Sequence, residues 1–512
     1  MRDERTHKAK LNTLSTLINH LVATLCGIIV PRLMIGAFGS ELYGATTSIA
    51  QFLSYIALLE GGIGRVARGA LYSPLAQKDD VGISRIYHAL KRFFRGIGVF
   101  FAVYAVVLAV IYYDIAEVEA ISRKYTFWLV LAISFSTLVD YFFGITNMTL
   151  INADQHKYIV NLAVIGTRIL NTLMIVVLIS TSNELLTVKL VSSLVIIIRP
   201  LFYSRYVKKH YNLPQVEKKD AVLKHKWNGL GQHFAYFLHT NTDIVLLTLF
   251  ADLATVSVYS VYSLIAVSIR NIASSFAGGM EAELGNIVAG RETKTLRNVY
   301  RRYQCMLNMI AMILFGTAAV MVMPFVRLYT EGIRDANYIQ PAFALVLILA
   351  EGVNCISLPC STIPISANKL KQTQWGAFGE AIVNIGVSCI LMQWNPLLGV
   401  AMGTLCAEVF KSLYYIVYAE KNILGRPVWK ALGRFGCSVL LLAAMSLGGM
   451  RLMMEVEFAG YIDWIVWAVV AVICVAIPTV LANLAMYRGE FRSAVDFVFG
   501  SIVRRLRRKG TQ

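Results

Sequence analysis

The sequence predicts an all-α polytopic membrane protein of about 14 transmembrane helices, arranged as two six-helix lobes related by a pseudo-twofold along the membrane normal plus a C-terminal helix pair. Three observations predict it. Apolar runs of roughly 20 residues, the length a helix needs to cross the hydrocarbon core, recur along the chain. Basic residues avoid every second connection between these runs. Short segments of the first half reappear, in order, in the second.

Composition sets the frame. A chain that is 57% hydrophobic and 15% charged, with a mean hydropathy of +0.61, lies outside ordinary soluble make-up. Its spans, in order, are 12–36, 43–64, 95–113, 126–151, 159–181, 184–206, 230–250, 254–278, 303–327, 338–365, 375–393, 396–419, 432–453 and 461–487. Split by alternate connections, the 48 Lys and Arg fall as about 40 on one side, about 6 on the other and about 2 inside spans, which places the basic side in the cytoplasm. Adding or removing one span would mix the two sets, so the charge pattern tests the count. Both termini are then cytoplasmic, and the first span reads as a retained helix rather than a cleaved signal. The net charge of +18 reads as topology and contact with anionic lipid headgroups, not nucleic-acid binding.

The basic clusters follow span two (Arg65, Arg68, Lys78, Arg85, Lys91, Arg92, Arg95) and span six (Lys208, Lys209, Lys218, Lys219, Lys224, Lys226). External connections are short; two, at Ala251–Leu253 and Gln393–Asn395, are little more than turns. Tryptophans fall near span ends, as in an interfacial belt. The stretch from Phe491 to Lys509 reads equally as an interfacial amphipathic helix or a solvated tail. The eight cysteines lie in apolar stretches without CxxC or metal-ligand spacing, so they read as core residues, and neither metal nor cofactor is expected. With no GxxxxGK[ST] sequence and no sizeable outer loop for catalytic groups, the chain reads as a transporter rather than an ATPase or an enzyme.

The repeat has an offset near 212–217 residues. Phe38-Gly-Ser-Glu-Leu42 closes span one and Phe250-Ala-Asp-Leu253 closes span seven. Gly61-Gly62 and Gly278-Gly279 end spans two and eight. Asn152–Lys157 matches Ser366–Lys371, each leading into a helix with Gly and Asn (Gly166, Asn171; Gly379, Asn384). Six helices lie between copies, an even number, so both enter the membrane with the same polarity. The divisions are an N-lobe over 1–206, a basic cytoplasmic linker over 207–229, a C-lobe over 230–419, spans 13 and 14 over 432–487, and a basic tail over 488–512.

This architecture resembles the MOP exporter superfamily, which includes the MATE drug exporters, the peptidoglycan precursor flippases and the polysaccharide-repeat flippases. Glu60-Gly-Gly-Ile-Gly-Arg65-Val-Ala-Arg68 is similar to the Gly-rich, Arg-ended close of span two in O-antigen and teichuronic-acid exporters. Thr240-Asn-Thr-Asp243-Ile-Val-Leu-Leu-Thr-Leu-Phe250, with Val258-Tyr259-Ser260, resembles the start of their second lobe. The resemblance implies a flippase in the bacterial inner membrane. It would carry an undecaprenyl-pyrophosphate-linked glycan outward by alternating access, beside polysaccharide polymerase machinery. A cation-coupled MATE-type antiporter and a peptidoglycan lipid-precursor flippase remain the alternatives.

Charges inside spans are the candidate site residues, since each is costly unless it meets a cavity or partner. Arg32, toward the outer end of span one, reads either as a cation lining the cavity for a lipid pyrophosphate or as an arginine snorkelling to headgroups. At the repeat offset it falls close to Asp243, with which it could pair. Gln232, Tyr236, His239 and Asp243 share one stripe of span seven, facing protein or water, and His239 is a candidate proton carrier. Arg168 and Arg270 stand a few turns from the cytoplasmic side and read equally as further phosphate contacts or as arginines snorkelling to the inner interface. Glu60 with Arg65 reads as an inner-gate ion pair, and Glu281 and Glu283, at the corresponding place in the second lobe, read as partners for the first lobe's arginines, with solvated helix-end charges as the alternative. Glu351, followed by Asn354, Pro359 and Pro364, reads as a carboxyl in a kinked helix suited to ion coupling, with Glu380 and Glu408 as weaker candidates of that type.

Overall fold

A computed structural model describes residues 2–60, 63–118, 120–182, 184–216 and 230–491, and these residues form helices and connections with no strand among them. The first six spans map onto α1 (Arg2–Phe38), α2 (Ser40–Ser54) with the short α3 (Ala57–Glu60), α5 (Asp80–Ile115), α6 (Arg123–Val139) continued through a π-turn at Asp140–Gly144 into α7 (Ile145–Ala153), α8 (Lys157–Thr181) and α9 (Leu185–His210). The next six are α10 (Leu230–Phe250), α11 (Leu253–Ala289), α12 (Thr293–Tyr329), α13 (Pro341–Ser366), α14 (Leu370–Leu391) and α15 (Pro396–Tyr418). The last pair is α16 (Val428–Met454) and α17 (Tyr461–Met486).

Twelve of these stretches are long and apolar enough to cross a bilayer. The two absent from that set are α10, which contributes only the shorter apolar stretch Phe237–Phe250, and α14. Helices also outrun the predicted spans. The basic segment after span two is itself helical, α4 (Ile63–Gln77), and α5 begins at Asp80 rather than residue 95. Asp79 starts it by accepting a hydrogen bond from the Gly82 N–H through Oδ1 at 3.0 Å, which satisfies an otherwise unpaired amide. Likewise α11 continues to Ala289 and α12 starts at Thr293. Polar residues can prolong a helix into water, where hydropathy no longer marks its end. In span ten, α13 continues as one helix through Pro359 and Pro364. Lys218, Lys219, Lys224, Lys226 and the tail beyond Phe491 lie outside the described residues.

The chain forms two compact units. The first runs through Phe237 and takes in Ile244–Ser260; the second holds Leu238–Asp243 and continues from Val261. Within the first unit, Gly44 lets α2 approach the start of α11 closely, since a Cβ there would lie 1.8 Å from the Leu253 carbonyl oxygen. Within the second, α17 buries Ala471, Val475, Thr479 and Asn483, one residue per turn. Asn308 of α12 donates to Asn483 Oδ1 at 3.0 Å.

The other faces of these helices are apolar and open. On α5, Val99, Phe100, Val103, Val106, Val107 and Val110 are exposed, and on α17 Ile462, Val466, Val469, Ile473, Ile477 and Leu481 are exposed. Continuous apolar exteriors of this extent belong against lipid, not water. The chain is a multi-pass membrane protein.

Candidate functional site

The densest chemistry lies in the second unit, on the two helices absent from the apolar set and on α15. His239 and Asp243 are one turn apart on α10, Glu380 and Asn384 one turn apart on α14, and Thr404, Glu408 and Lys411 follow one another down α15. Each helix therefore offers one polar stripe. What brings the stripes together is the close crossing of α14 and α15. Gly399 and Gly403 form a small-xxx-small pair. A Cβ on Gly399 would stand 2.4 Å from the Met392 nitrogen, and one on Gly403 would stand 2.0 Å from Ser388 Oγ.

Four charged or titratable groups then converge. His239 Nε2 lies 3.1 Å from Glu408 Oε1 and 3.2 Å from Glu380 Oε1. Lys411 Nζ lies 3.0 Å from Glu380 Oε1 and 3.0 Å from Glu408 Oε2. His239, Glu380 and Glu408 are buried. Because Nε2 faces two carboxylate oxygens it must carry the proton, which leaves Nδ1 buried without a hydrogen-bond partner among the described residues. With both carboxylates ionised, Lys411 charged and His239 neutral, the quartet carries one net negative charge. One proton makes it neutral.

His239, Glu380 and Glu408 also place their ligating atoms within 4.8 Å of one another, a spacing suited to a metal ion. Spacing along the chain showed no such set, because the three residues come from three helices. The Lys411 ammonium already occupies the position between the two carboxylates, so this chain meets their charge with a tethered cation. One turn away, Thr404 donates to Asp243 Oδ2 at 3.0 Å and accepts from Asn384 Nδ2 at 3.1 Å. The stripe thus continues as a hydrogen-bonded row.

Other candidates fall elsewhere. Arg270 and Glu351, read separately in the sequence as a phosphate contact and a coupling carboxyl, are partners: Nη1 lies 2.8 Å from Oε1. Glu351 is therefore a paired carboxylate, with Oε2 buried and lacking a hydrogen-bond partner among the described residues. Glu283 pairs with Arg302 of its own unit at 3.2 Å, while Glu281 is exposed. In the first unit, Arg168 donates to Asn19 Oδ1 at 3.1 Å, and Glu60 accepts from the Tyr141 hydroxyl at 2.6 Å. Arg32 is half-buried on α1. Arg65 and Tyr236 lie on α4 and α10, with side chains outside the described set. Three cysteines, Cys305, Cys355 and Cys360, are core residues as expected, but Cys437 of α16 and Cys474 of α17 are exposed.

Sequence reasoning missed Lys411. The signal was present: Glu408 and Lys411 are opposite charges three residues apart inside an apolar span, a spacing that puts them on one face.

No protein-family model and no curated protein matches the chain. Solved structures do. The lipid II flippase MurJ in its inward closed conformation superposes with a TM-score of 0.61 at 16% identity, covering 93% of this chain and 99% of that one. An inward-facing MATE-family multidrug transporter of the MOP superfamily gives 0.59 at 14% identity, covering 78% and 95%. The Vibrio cholerae MATE transporter VcmN, solved as a point mutant, gives 0.55 at 14% identity, covering 82% and 99%. The chain has the fold of the MurJ and MATE transporters. Within that fold, the quartet sits on the seventh, eleventh and twelfth spans of this chain.

Proposed function

We propose that the protein is a flippase that carries a polyprenyl-pyrophosphate-linked oligosaccharide repeat from the cytoplasmic to the outer leaflet by alternating access, serving polysaccharide biosynthesis. The observation that carries the reading is coverage. The MurJ superposition spans 93% of this chain, whereas those of the two MATE proteins span 78% and 82%. The protein thus shares more of its length with a flippase whose named substrate is a lipid. The sequence supports the same direction: span one carries Arg32 and His20 and no acid, which suits an anionic head better than a cationic drug. Arg32, Arg168 and Arg270 are the proposed phosphate contacts, since a guanidinium presents a planar fork of donors to phosphate oxygens. His239, Tyr236 and Asp243 are assigned to the substrate path. The inner-gate groups are Glu60, Arg65 and Glu281, and Glu351 serves coupling through its pair with Arg270. The charge quartet is the centre whose protonation the transport cycle would use.

The test is deletion of the gene in its host, followed by extraction of lipid-linked sugars and staining of surface glycan. Loss of surface glycan, with its polyprenyl-linked repeat accumulating at the inner leaflet, is the expected result. Accumulation of the peptidoglycan precursor instead would reassign the substrate. Intact glycan with new sensitivity to cationic dyes would make it a drug antiporter.

A further inference from the structure

The last two spans carry charged groups outside the sites assigned above. The start of α16, the end of α17 and the first turns of α12 enclose a groove of about 430 Å³ whose lining includes Arg301, Lys430, Gly433, Arg434, Met486 and Glu490. Lys430, Gly433, Arg434 and Cys437 follow at spacings of three, one and three residues, so they form one stripe of α16. Gly433 leaves the wall open: a Cβ there would meet nothing within 4 Å.

The charges in this groove do not balance. Three cations line it against one carboxylate, Glu490, the sole acid among its described lining residues. Glu490 is already engaged by Arg301, at 2.9 Å. The Arg434 guanidinium lies over the Tyr487 ring at 5.0 Å and donates through Nε to the Lys430 carbonyl at 3.2 Å, contacts that hold its position without neutralising it. Lys430 is exposed. Nearby arginines of the same unit are spent differently: Arg297 on the Leu424 and Gly425 carbonyls, Arg302 on Glu283, and Arg426 on Glu420 at 2.5 Å. Arg301 Nε is buried without a hydrogen-bond partner among the described residues.

Depth fixes the kind of anion. Trp429, 83% exposed, stands beside Lys430 at the helix start, as aromatic residues do at a membrane interface. Immediately below, the groove wall turns apolar with Cys437 and Met486. The ligand needs phosphate oxygens at the top and hydrocarbon beneath. The chain's own following segment, 492–512, does not complement the site, since it carries six basic residues and one acid.

We infer that this groove between α12, α16 and α17 holds the headgroup of an anionic phospholipid, its phosphate between Lys430 and Arg434 and its acyl chain along Cys437 and Met486. The site is separate from the transported substrate, and its success or failure is independent of the flippase reading.

The experiment uses the full-length protein in nanodiscs of phosphatidylcholine, alone or mixed equally with phosphatidylglycerol. The lipid retained after extraction is counted by native mass spectrometry. Wild type should retain phosphatidylglycerol, and Lys430→Gln should weaken retention roughly fivefold, the size of one basic residue's attraction at an anionic surface. Lys430 is exposed and packs little, so this variant should fold, which its unfolding temperature in phosphatidylcholine alone would confirm. Arg434→Gln should weaken retention further, and Arg334→Gln in the connection before α13 should change nothing. Equal retention by wild type and Lys430→Gln would overturn the inference. So would displacement of the lipid by millimolar inorganic phosphate, which would make the site one for free phosphate.

Discussion

The two units of this molecule solve the same problem, joining helices inside lipid, with different chemistry. In the first unit several of the described joints are neutral hydrogen bonds. Asn161 of α8 donates to Ser15 Oγ and Thr16 Oγ1 of α1, both at 3.0 Å. Tyr87 of α5 donates to Asn147 Oδ1 at 2.8 Å, and Ser193 of α9 donates to the Ala132 carbonyl at 2.6 Å. Arg168 meets an asparagine and Glu60 a tyrosine. In the second unit, interior charges meet charges: the quartet, Arg270 with Glu351, and Arg426 with Glu420. A neutral interhelical hydrogen bond in lipid contributes about 0.6 kcal/mol, and removing one partner of a buried ion pair costs about 3–5 kcal/mol. The difference teaches that these neutral joints are each weak, while the quartet concentrates polar energy where a single proton changes the charge balance.

Four substitutions and one titration sharpen that contrast. The largest effect belongs to Glu408→Ala, which leaves Lys411 and His239 with one carboxylate between them. It should cost about 3–5 kcal/mol, seen as a large fall in unfolding temperature in detergent, and transport should stop. A loss below about 1 kcal/mol would place the quartet with ordinary polar joints.

Lys411→Met comes next. It removes the tethered cation and leaves two carboxylates facing each other beside His239, so the variant should be destabilised and then rescued by sodium. Unfolding temperature against sodium concentration decides it: a rise in the variant with a flat wild type is the expected pattern. Parallel curves would mean that the ammonium is not filling a cation position.

Gly403→Val should cost on the order of 1–3 kcal/mol by overpacking the α14–α15 crossing, because its Cβ would meet Ser388 Oγ at 2.0 Å and the Asn384 carbonyl at 2.7 Å. Gly386→Ala, on α14 with nothing within 4 Å, is the control and should be near neutral. If both behave alike, the close crossing is not what assembles the site.

In the first unit Asn161→Ala should lose only about 0.6–1 kcal/mol, with transport retained. A loss as large as that of Glu408→Ala would erase the contrast.

The smallest effect is a pH dependence in a connection of the first unit. Burial raises the Asp154 carboxyl, but His156, the Tyr211 hydroxyl and Lys8 outweigh it and hold the group below its ordinary value. A depressed folded value means the contribution is fully present above the unfolded carboxyl range near pH 4 and fades as pH falls through the folded value. Asp154→Asn should accordingly lower the unfolding temperature slightly at neutral pH, where the contribution is present, and flatten the acid limb so that variant and wild type converge at low pH.

Legibility differed between fold and site for a physical reason. Hydropathy and alternating charge are properties of single segments, and they revealed the helical membrane fold and its number of spans to within the two helices, α10 and α14, whose polar stripes dilute the apolar signal. Those same stripes mark the site. The sequence named His239, Asp243, Glu380, Glu408 and Glu351, because charge inside an apolar run is visible without a structure. It did not name Lys411, and it treated Arg270 and Glu351 as unrelated although they are in contact at 2.8 Å.

Sequence by itself determined where the chain crosses lipid and which helices carry polar faces, because desolvation acts on each segment separately. It also determined the rotation of each stripe, since helical periodicity places His239 under Asp243, Glu380 under Asn384 and Lys411 near Glu408 whatever their neighbours. Tertiary structure alone decided which stripes meet. That depends on the depth and angle at which α14 crosses α15, set by backbone approach at Gly399 and Gly403, and on α10 lying beside them. The contact of His239 with Glu408, 169 positions apart, follows from packing geometry, to which local sequence patterns carry no register.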